Sequence, residues 1–434
     1  MNYRITPPDN LQAELHLPSS KSVSNRVLLL HALSAGSHAP QGLSDCDDTQ
    51  VMLNAFGGSA SSTPIQGTID IAAAGTAMRF LTAYLSTVEG ERVLTGTERM
   101  LQRPIGVLVD ALRSLGAEID YLGAAGFPPL RIRGRQLQGG QVTLAGNVSS
   151  QYTSALLMIG PTMPLGLKLT LTGNIISRPY IDLTLKLMHD FGAKAAWTSR
   201  NEITVSPGGY CDTAYSVEAD WTGASYWYES VALMSTELKR HPRPRSEDEE
   251  GGPALPTLQL HGLVAESGQG DRRGAELFSR IGIRSIYTAD GVQVLPMGLP
   301  VARMVEDFTD MPDLAQTLVV SCCLMEIPFK FTGLQSLRIK ETDRIAALIH
   351  ELHKIGYALH DEGEGELSWH GEHCPAEADP LIATYDDHRM AMAFAPAAIV
   401  VPGIRIDNPQ VVSKSYPTFW DDLQKAGFQI TVGE

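Results

Sequence analysis

Residues 109–119 read VDALRSLGAEI, an amphipathic helical stretch that ends at a glycine and continues into a strand-like segment. Its apolar residues stand three and four positions apart, which is the spacing of one face of an α-helix. Gly116 follows the helix at a position where a left-handed backbone is favourable only for a residue without a Cβ atom. The segment therefore predicts a helix that stops at Gly116 and leads into a β-strand, as in an α/β unit.

The same helix–glycine–strand pattern returns along the chain. Further copies are LKLMHDFGAKA at 185–195, AELFSRIGIRSI at 275–286, HELHKIGYAL at 350–359, DDLQKAGFQI at 421–430 and a weaker VMLNAFGG at 51–58. Successive glycines of the six copies are roughly 60 to 90 residues apart, which is long enough for a βαβαββ unit. A plain α/β protein would also contain several such junctions, and we favour a true sixfold repeat over that interpretation.

Length and composition limit the class of protein. A chain of 434 residues is too long for one ordinary core, so two domains of roughly 200 residues are expected. No apolar run approaches the roughly 20 residues of a membrane span, and the first residues lack the apolar core of a signal peptide. The net charge of −15 disfavours a nucleic-acid partner, because phosphate backbones bind basic surfaces. We expect a cytoplasmic protein that uses neither membrane nor nucleic acid.

The five cysteines give no sign of a metal site or a disulfide framework. None forms a C-x-x-C pair, and no histidine lies at zinc-finger spacing from a cysteine pair. Cys322 and Cys323 stand inside an apolar run, so they are predicted to be buried, reduced thiols.

One stretch interrupts the repeat. Residues 236–256 read TELKRHPRPRSEDEEGGPALP, with a basic block, an acidic block, prolines and glycines. This composition does not favour a packed element, so an exposed loop is predicted. A regulatory basic patch is the alternative.

Cations recur beside predicted helix starts in the first half of the chain. In LPSSKSVSNRVLLLHAL, Lys21, Ser22 and Arg26 lie at or near a helix N-terminus, where free N–H groups favour an anion. Taken alone, this segment is equally a serine cap with two exposed cations. It is not a Walker loop, because the glycine–lysine pattern is absent.

Two further segments of the first half share this character. In IAAAGTAMRFL, Gly75 opens a helix and lets a ligand approach the backbone, and Arg103 follows in RMLQRPI. The polar triplet Ser149, Ser150 and Gln151 stands at another helix start. It suits a polyol or a phosphate, although a plain capping box fits nearly as well.

The second half repeats the theme and adds acids. Asp313 follows a proline at a helix start, and Lys340 and Arg344 are expected one turn apart on one helix face. The remaining charged positions are Glu341, the run Asp386, Asp387, His388 and Arg389, and Lys414. A single charged helix start is usually a solvated cap, but seven starts that pair small or polar residues with a cation indicate a binding site for anions.

Taken in order, these segments resemble the enolpyruvyl transferase family, and most closely its members that use shikimate 3-phosphate. The matching motifs are PSSKSVSNR, AGTAMR, RMLQRPI, FPPLRIRG, VSSQYTSALLM, SRPYIDLTL, QGD, KETDR, TYDDHRMAM and SKSYP. They run in family order from about residue 17 to residue 420. Each motif is weak alone, whereas the ordered set is specific.

The resemblance implies a fold of α/β class with two domains, each built from three βαβαββ units around a pseudo-threefold axis as an inside-out α/β barrel. It implies a discontinuous first domain at residues 1–19 plus 220–434 that carries the acid and base residues and cations for phosphoenolpyruvate. The second domain, residues 20–219, would carry most contacts to shikimate 3-phosphate, with the active site in the cleft between the two.

The implied reaction transfers the enolpyruvyl group of phosphoenolpyruvate to the 5-hydroxyl of shikimate 3-phosphate by addition and elimination. The products are 5-enolpyruvylshikimate 3-phosphate and phosphate, on the shikimate pathway to chorismate and the aromatic amino acids. The resemblance implies no metal and no organic cofactor, and a monomer is expected.

Site residues are carried over by motif. The catalytic set is Asp313, Glu341 and Lys21, with Asp313 as base and Glu341 as acid. Shikimate 3-phosphate would contact Lys21, Ser22, Arg26, Ser149, Ser150, Gln151, Ser177, Asp313 and Lys340. Phosphoenolpyruvate would contact Lys21, Gly75, Arg103, Gln151, Arg344, Arg389 and Lys414.

The sequence departs from the family at two positions. Ala73 and Ser336 stand where asparagine is usual, so a polar contact to substrate is lost or replaced at Ala73. The stretch between Arg26 and Gly75 is short for the family, which indicates a trimmed first repeat.

Two alternatives stay open. The sister enzyme that acts on UDP-N-acetylglucosamine typically uses a loop cysteine as its acid, and no cysteine lies between Cys46 and Cys211 here. A binding protein without catalysis on the same fold would have lost Asp313, Glu341 or several cations, and all are present.

Overall fold

The structure is a computed structural model that describes residues 1–57, 65–242 and 255–433. Within these ranges the chain forms thirteen α-helices and twenty β-strands. The helices are α1 (Lys21–Ser34), α2 (Asp47–Ala55), α3 (Gly75–Leu85), α4 (Glu98–Leu101), α5 (Gly106–Ser114), α6 (Ser150–Ile159), α7 (Arg178–Asp190), α8 (Trp221–Arg240), α9 (Gly274–Arg280), α10 (Ala315–Leu324), α11 (Arg344–Lys354), α12 (His388–Phe394) and α13 (Phe419–Lys425).

The strands are short and stand between the helices singly or in runs of two or three. They are β1 (Asn2–Thr6), β2 (Gln12–His16), β3 (Gly67–Asp70), β4 (Gly90–Thr95), β5 (Glu118–Tyr121), β6 (Leu130–Gly134), β7 (Gly140–Ala145), β8 (Leu167–Thr172), β9 (Ala195–Ser199), β10 (Glu202–Val205), β11 (Thr257–His261), β12 (Ile283–Thr288), β13 (Gly291–Pro296), β14 (Met304–Asp307), β15 (Phe329–Thr332), β16 (His360–Gly363), β17 (Glu366–Trp369), β18 (Leu381–Ile382), β19 (Arg405–Asp407) and β20 (Gln429–Gly433).

The chain divides into two compact units. Unit 1 comprises Met1–Pro18, Ala219–Ser267 and Asp271–Glu434, and unit 2 comprises Ser19–Glu218 and Gly268–Gly270. The two main crossings lie one residue from the domain limits that the family resemblance implies. The short return at Gly268–Gly270 has no counterpart in the sequence prediction. Each unit has a hydrophobic core of its own.

The described residues form five four-stranded sheets with one shared topology. In chain order of each repeat the strands are arranged first, second, fourth and third, with the first two parallel and the rest antiparallel, as in β3-β4-β6-β5 and β7-β8-β10-β9. Unit 1 contains three such sheets, one of which recruits β1 as its fourth strand. The predicted α/β class and the repeated βαβαββ unit are therefore confirmed.

Within each repeat the first helix lies in the core. Helix α8 is buried along Trp221–Ser235, and every residue of α10 is buried. A helix that is apolar around its whole circumference can bury its hydrophobic surface only when other elements surround it. The N-termini of these buried helices carry most of the predicted site residues.

The six repeat glycines end the second helix of each repeat as the sequence predicts. All six have positive φ angles, within the left-handed region. At Gly116 the amide N donates to the Arg113 carbonyl at 2.9 Å, and the Ala117 amide donates to Leu112 at 3.0 Å. This is the hydrogen-bond pattern of a Schellman motif, which satisfies the last helix carbonyls.

The individual φ values run from 78° at Gly57 to 102° at Gly356. A side chain at any of these positions would strain the backbone, because L-residues rarely adopt this conformation.

The first repeat of unit 2 differs from the other five. In the described residues it consists of α1 and α2, Gly57 and a single parallel bridge between Gln41 and Ser216. In the described residues, two of the three repeats of unit 2 thus form a four-stranded sheet, in line with the expected trimming of the first repeat. The physical reason is length, since too few residues separate Arg26 and Gly75 to build four strands.

The predicted loop at residues 236–256 begins too early. Helix α8 continues to Arg240, where the Arg240 guanidinium contacts the Glu237 carboxylate at 3.0 Å. Good helix formers and this pair one turn apart extend the helix into the charged segment. The rest of the prediction falls largely on residues 243–254, which lie outside the described residues. Across the part of the chain that is described, no helix is both long and apolar enough to cross a membrane.

Candidate active site

In unit 2 the predicted site residues lie at the N-terminal ends of α1, α3 and α6. Lys21 is the first residue of α1, Gly75 the first of α3, and Ser150 the first of α6. The Gln151 amide Nε2 donates to Thr76 Oγ1 at 3.1 Å, which ties the start of α6 to the start of α3. The helix N-termini thus bring backbone N–H groups together with cations and hydroxyls, a combination that suits an anion.

Lys21 is held by an acid from the next helix. Its Nζ lies 3.4 Å from Asp48 Oδ2, and both side chains are mostly shielded from solvent. The Cys46 thiol lies nearby at the start of α2, where burial raises its pKa and the charge of Lys21 lowers it. The pairing fixes the direction of the ammonium group before any ligand is present.

Arg26 lies deeper than the motif suggests. It is 2 % exposed, and its guanidinium donates to Thr184 Oγ1 at 2.7 Å, to the Ser22 carbonyl at 2.9 Å and to Ser154 Oγ at 3.2 Å. Burial lowers its pKa to about 10, so the group stays charged at neutral pH. Its hydrogen bonds join α1 to α6 and α7. A direct ligand contact would require it to exchange one of these bonds.

Gly75 and Arg103 lie directly against each other. A Cβ atom added at Gly75 would meet the Arg103 guanidinium nitrogens at 2.7 Å, closer than real Cβ contacts allow. The absence of a side chain therefore lets Arg103 lie over the start of α3. In the described part of the chain, no hydrogen bond or ion pair to Arg103 is found, and its buried Nε has no partner.

The segment that carries Arg103 is fixed by its neighbours. The Arg79 guanidinium donates to the Gly75 carbonyl at 3.0 Å and to the Pro104 carbonyl at 3.3 Å. The Tyr152 hydroxyl donates to the same Pro104 carbonyl at 2.6 Å. Arg79 and Tyr152 thus fix the backbone beside Arg103 and leave its guanidinium available.

The remaining predicted residues of unit 2 occupy helix caps. Ser149 is the N-cap of α6, and its Oγ accepts from the Gln151 amide at 3.3 Å. Ser177 precedes α7 with φ 53°, a left-handed conformation that is uncommon for a residue with a side chain. Such strain is often retained where a residue is aimed at a ligand.

In unit 1 the predicted base lies among three cations. Asp313 is contacted by Arg344 Nη1 at 3.0 Å, by Arg389 Nη2 at 2.9 Å and by Lys340 Nζ at 3.5 Å. It stands in a short 3₁₀ turn, Pro312–Leu314, directly before α10. Charge-assisted bonds of this kind hold a carboxylate in one orientation.

Arg344 is the centre of this network. It is 1 % exposed and also donates from Nε to Asp387 Oδ2 at 2.6 Å and from Nη2 to Glu341 Oε2 at 2.9 Å. Burial acts to lower its pKa, but the charges of Asp387, Glu341 and Asp313 raise it above its ordinary value. The guanidinium is therefore permanently charged and already paired with three carboxylates.

The local structure around Lys340 differs from the prediction. Lys340 ends a 3₁₀ turn, Gln335–Ile339, and α11 begins only at Arg344, capped by the Asp343 side chain on the Ala346 amide at 3.1 Å. Lys340 and Arg344 are thus not one turn apart on a helix, since the Asp343 cap starts the helix after KET. Both side chains still reach Asp313.

Lys414 and Arg389 reach the network by different routes. Arg389 lies in the first turn of α12, where the Asp387 side chain accepts from its backbone amide at 2.9 Å. Lys414 ends a 3₁₀ helix, Pro409–Lys414, and its Nζ donates to the Asp386 carbonyl at 2.6 Å. Five predicted residues of unit 1 are therefore linked by direct contacts through Asp313 and Arg344, and Lys414 joins them through the backbone before α12.

Two acids of unit 1 were missed by sequence reasoning. Asp387 was seen only as part of a helix start, although it is fully buried and bonds to Arg344. Asp271, in the QGD motif, is 1 % exposed and accepts a short hydrogen bond from Thr222 Oγ1. Burial, and next the negative charge of Asp313, raise the pKa of Asp271 to about 6. The aspartate directly before a His-Arg helix start was the available signal for Asp387, and the QGD motif was the available signal for Asp271.

The two positions that depart from the family lie beside the site. Ala73 stands two residues before Gly75, next to Ala72, which adopts φ 49°. Ser336 lies in the 3₁₀ turn that leads to Lys340. Nothing in the structure assigns a replacement contact to either.

The two groups of residues differ in what they can do. The unit 2 group offers cations, hydroxyls and backbone N–H groups, which suit phosphate and carboxylate ligands. The unit 1 group places two carboxylates, Asp313 and Glu341, beside strong cations, which suits proton transfer next to a bound anion. Among the residues that the structure describes, no cluster of three or more His, Cys, Asp or Glu side chains has the arrangement of a metal site.

Comparison with known proteins gives relatives along the whole chain. A relative from Bacteroides fragilis named 3-phosphoshikimate 1-carboxyvinyltransferase is 56% identical over 434 residues, covering 100% of both chains. Proteins of the same name from Cellvibrio japonicus and Vibrio cholerae are 37% and 35% identical, and each match covers 96% of this chain and 97% of the relative.

Solved structures show the same fold. A structure of EPSP synthase from Acinetobacter baumannii matches with a TM-score of 0.75 at 22% identity, over 99% of this chain and 100% of that one. The enolpyruvyl transferase NikO from Streptomyces tendae matches with a TM-score of 0.72 at 15% identity, over 99% and 98%.

The family model of EPSP synthase (3-phosphoshikimate 1-carboxyvinyltransferase) matches residues 5–239 and 254–423. Residues 240–253, within the charged segment, fall between the two matched parts. The resemblance drawn from the ordered motifs is confirmed, and the chain belongs to the EPSP synthase (3-phosphoshikimate 1-carboxyvinyltransferase) family.

Proposed function

We propose that this protein transfers the enolpyruvyl group of phosphoenolpyruvate to the 5-hydroxyl of shikimate 3-phosphate and releases phosphate. The observation that carries the proposal is the network around Asp313. This base candidate contacts Lys340, Arg344 and Arg389, and it shares Arg344 with the acid candidate Glu341. Membership of the family, with relatives 56% identical over their whole length, supports the same reaction. It places the protein on the shikimate pathway to aromatic amino acids.

Anion binding is assigned first to unit 2. Arg103 and Lys21 would meet phosphoenolpyruvate, and Gly75 and Gln151 would complete that contact. The Arg103 guanidinium has free donors in a planar fork, which matches a carboxylate or phosphate group. The ring of shikimate 3-phosphate and its phosphate would contact Lys21, Ser22, Arg26, Ser149, Ser150, Gln151 and Ser177.

Proton transfer is assigned to unit 1. Asp313 would remove the proton of the 5-hydroxyl as its oxygen bonds to the enol carbon. Glu341 would donate a proton to the methylene carbon, which becomes a methyl group in the tetrahedral intermediate. Removal of a methyl proton and breakage of the carbon–oxygen bond to phosphate would then regenerate the double bond.

The cations of unit 1 would serve both substrates. Lys340 would meet shikimate 3-phosphate, and Arg344, Arg389 and Lys414 would meet phosphoenolpyruvate. Because Arg344 and Arg389 are paired with acids, an incoming anion would share them with Asp313 and Glu341 or displace a carboxylate. This competition couples the binding of phosphoenolpyruvate to the position of the base.

We propose a cytoplasmic enzyme, as the sequence leads us to expect. Because a single chain supplies all of these groups, we propose that it acts as a monomer. All predicted site residues lie within the described ranges of one chain. No second copy is needed to complete the proposed set.

The test is phosphate release by the full chain with phosphoenolpyruvate and one acceptor at a time. Shikimate 3-phosphate should support continuous release, while UDP-N-acetylglucosamine and shikimate without its phosphate should not. Release with UDP-N-acetylglucosamine alone would assign the sister activity. Binding of shikimate 3-phosphate without release from any acceptor would assign a binding protein.

A further inference from the structure

The chain makes a strained corner directly before α12. Tyr385 and Asp386 both adopt φ 54°, so two consecutive residues with side chains are left-handed. Such a conformation is strained and persists only when its surroundings hold it. The contacts around the corner therefore identify what holds it.

Glu351 of α11 forms hydrogen bonds to one side of this corner. Its side chain is fully buried, and its carboxylate accepts from the Tyr385 hydroxyl at 2.6 Å and from the Ala383 amide at 3.0 Å. Lys354 Nζ lies 2.7 Å from the same carboxylate and also donates to the Leu381 carbonyl at 2.9 Å. One buried acid thus fixes the backbone at Ala383, just before the corner, and the side chain of Tyr385 within it. These contacts of Glu351 with Ala383 and Tyr385 form a clamp on the corner.

The other side of the corner meets a predicted binding residue. Asn408 Nδ2 donates to Asp386 Oδ1 at 2.7 Å, and Lys414 Nζ donates to the Asp386 carbonyl at 2.6 Å. A shift of the Asp386 carbonyl would therefore move the ammonium group of Lys414.

The corner also sets the first turn of α12. Asp387 follows it, bonds to Arg344 and caps the Arg389 amide at 2.9 Å. Arg389 in turn lies 2.9 Å from Asp313. The conformation of Tyr385 and Asp386 therefore determines where two cations, Arg389 and Lys414, are placed.

We propose that Glu351 is a positioning residue for phosphoenolpyruvate: it holds the strained corner so that Arg389 and Lys414 stand ready for the same anion. The inference rests on the proposed function for the identity of that ligand. The simpler interpretation is that Glu351 and Lys354 form a buried pair that only stabilises unit 1. The two differ in which kinetic constant changes.

The experiment measures steady-state kinetics of Glu351→Ala beside Leu352→Ala. Leu352 is the next residue of α11 and is fully buried, but it is apolar, so its truncation loosens the helix without removing the clamp. For Glu351→Ala the KM for phosphoenolpyruvate should rise about 10-fold while the KM for shikimate 3-phosphate stays within about twofold. For Leu352→Ala both KM values should stay close to the wild type. Equal effects of the two variants on the KM for phosphoenolpyruvate would overturn the proposal.

Two milder variants keep the test valid if Glu351→Ala does not fold. Glu351→Gln can still accept from the Ala383 amide and bond to Tyr385, so its KM should stay within about threefold of the wild type. Tyr385→Phe removes one partner of the clamp at an exposed side chain and should raise the KM for phosphoenolpyruvate alone by about threefold. An unchanged KM in Tyr385→Phe together with a tenfold rise in Glu351→Gln would contradict the clamp.

Amide exchange separates this inference from the proposed function. Hydrogen exchange at Ala383 and residues 385–389 can be read on any folded protein, whether or not it turns over substrate. Exchange there should accelerate in Glu351→Ala and stay unchanged in Leu352→Ala. Unchanged exchange in Glu351→Ala would overturn the clamp even in an active enzyme, whereas a wild type without phosphate release would overturn the function alone.

Discussion

The two groups of site residues differ in how their charges are balanced. In unit 2 Arg103 has no ion pair among the described residues, and Lys21 is paired with Asp48. In unit 1 Arg344 alone contacts three carboxylates, and Asp313 contacts three cations. One group therefore offers positive charge to a ligand, while the other is neutralised by its own acids.

This difference resolves the conflict between an acidic chain and anionic substrates. A net charge of −15 does not prevent anion binding, because charge is compensated locally rather than over the whole molecule. It also corrects a simple view of the cations as a uniform positive cluster. The cations of unit 1 hold the carboxylates of Asp313 and Glu341 in place, whereas we propose that those of unit 2 bind an incoming anion.

The largest expected effect tests the group of site residues in unit 1, where cations and carboxylates are paired. Arg344→Ala should lower the free energy of unfolding by about 3–5 kcal/mol, because it leaves three carboxylates without their buried cation. Urea unfolding of the full chain measures this. Arg280→Ala is the matched control, since Arg280 is partly exposed and its partner Glu306 keeps a second cation, Arg273, so the loss should be about 1 kcal/mol or less. Equal losses in the two variants would contradict the role of Arg344 as the centre of the network.

The next effect concerns turnover. Glu341→Gln should bind both substrates almost normally and lower kcat by roughly 100-fold or more, because the amide cannot donate a proton to carbon. Asp313→Ala should lower kcat to a similar extent. Binding is measured by calorimetry and turnover by phosphate release. Near-normal kcat in both variants would refute the assignment of acid and base.

A pH effect is expected from Asp271, an acid of unit 1 whose pKa is raised to about 6. A carboxyl with a raised folded pKa stabilises the protein when protonated, and this stability is lost as pH rises through about 6. Asp271→Asn cannot ionise, so it does not lose stability as pH rises, and its side-chain oxygen still accepts a hydrogen bond from Thr222. Its gain in unfolding free energy over the wild type should therefore grow by about 2 kcal/mol between about pH 4.5 and 7. A gain that is the same at both pH values would contradict the raised pKa.

The smallest effect tests Arg103, the cation of unit 2 for which the described residues provide no ion pair. Arg103→Ala should leave the unfolding free energy within about 0.5 kcal/mol of the wild type, since no acid loses its partner. The KM for phosphoenolpyruvate should rise by about 10-fold through the loss of a charge-assisted bond. A loss of stability as large as that of Arg344→Ala would remove the contrast between the two groups.

The sequence predicts the features that depend on local chemistry. Helix starts at Gly75, Ser150 and His388 and the glycine that ends each second helix follow from capping and backbone preferences over a few residues. The family motifs add the order of the site residues along the chain.

The features that were not predicted depend on contacts far apart in sequence. Arg344 and Asp387 are separated by 43 residues, and Thr222 and Asp271 by 49. The depth of Arg26 depends on hydroxyls from α6 and α7, and the corner at Tyr385 depends on Glu351. Residue patterns along the chain cannot show which distant partner satisfies a buried charge.

The most direct test of the division between the two groups is hydrogen exchange at the methylene carbon of phosphoenolpyruvate in D₂O. With shikimate 3-phosphate present, the wild type should introduce deuterium into that carbon, because the methyl group formed by protonation loses a proton on elimination. Arg103→Ala at saturating phosphoenolpyruvate should retain this exchange at nearly the wild-type rate, while Glu341→Gln should lose it. Exchange that persists in Glu341→Gln and disappears in Arg103→Ala would contradict the assignment of proton transfer to unit 1 and anion binding to unit 2.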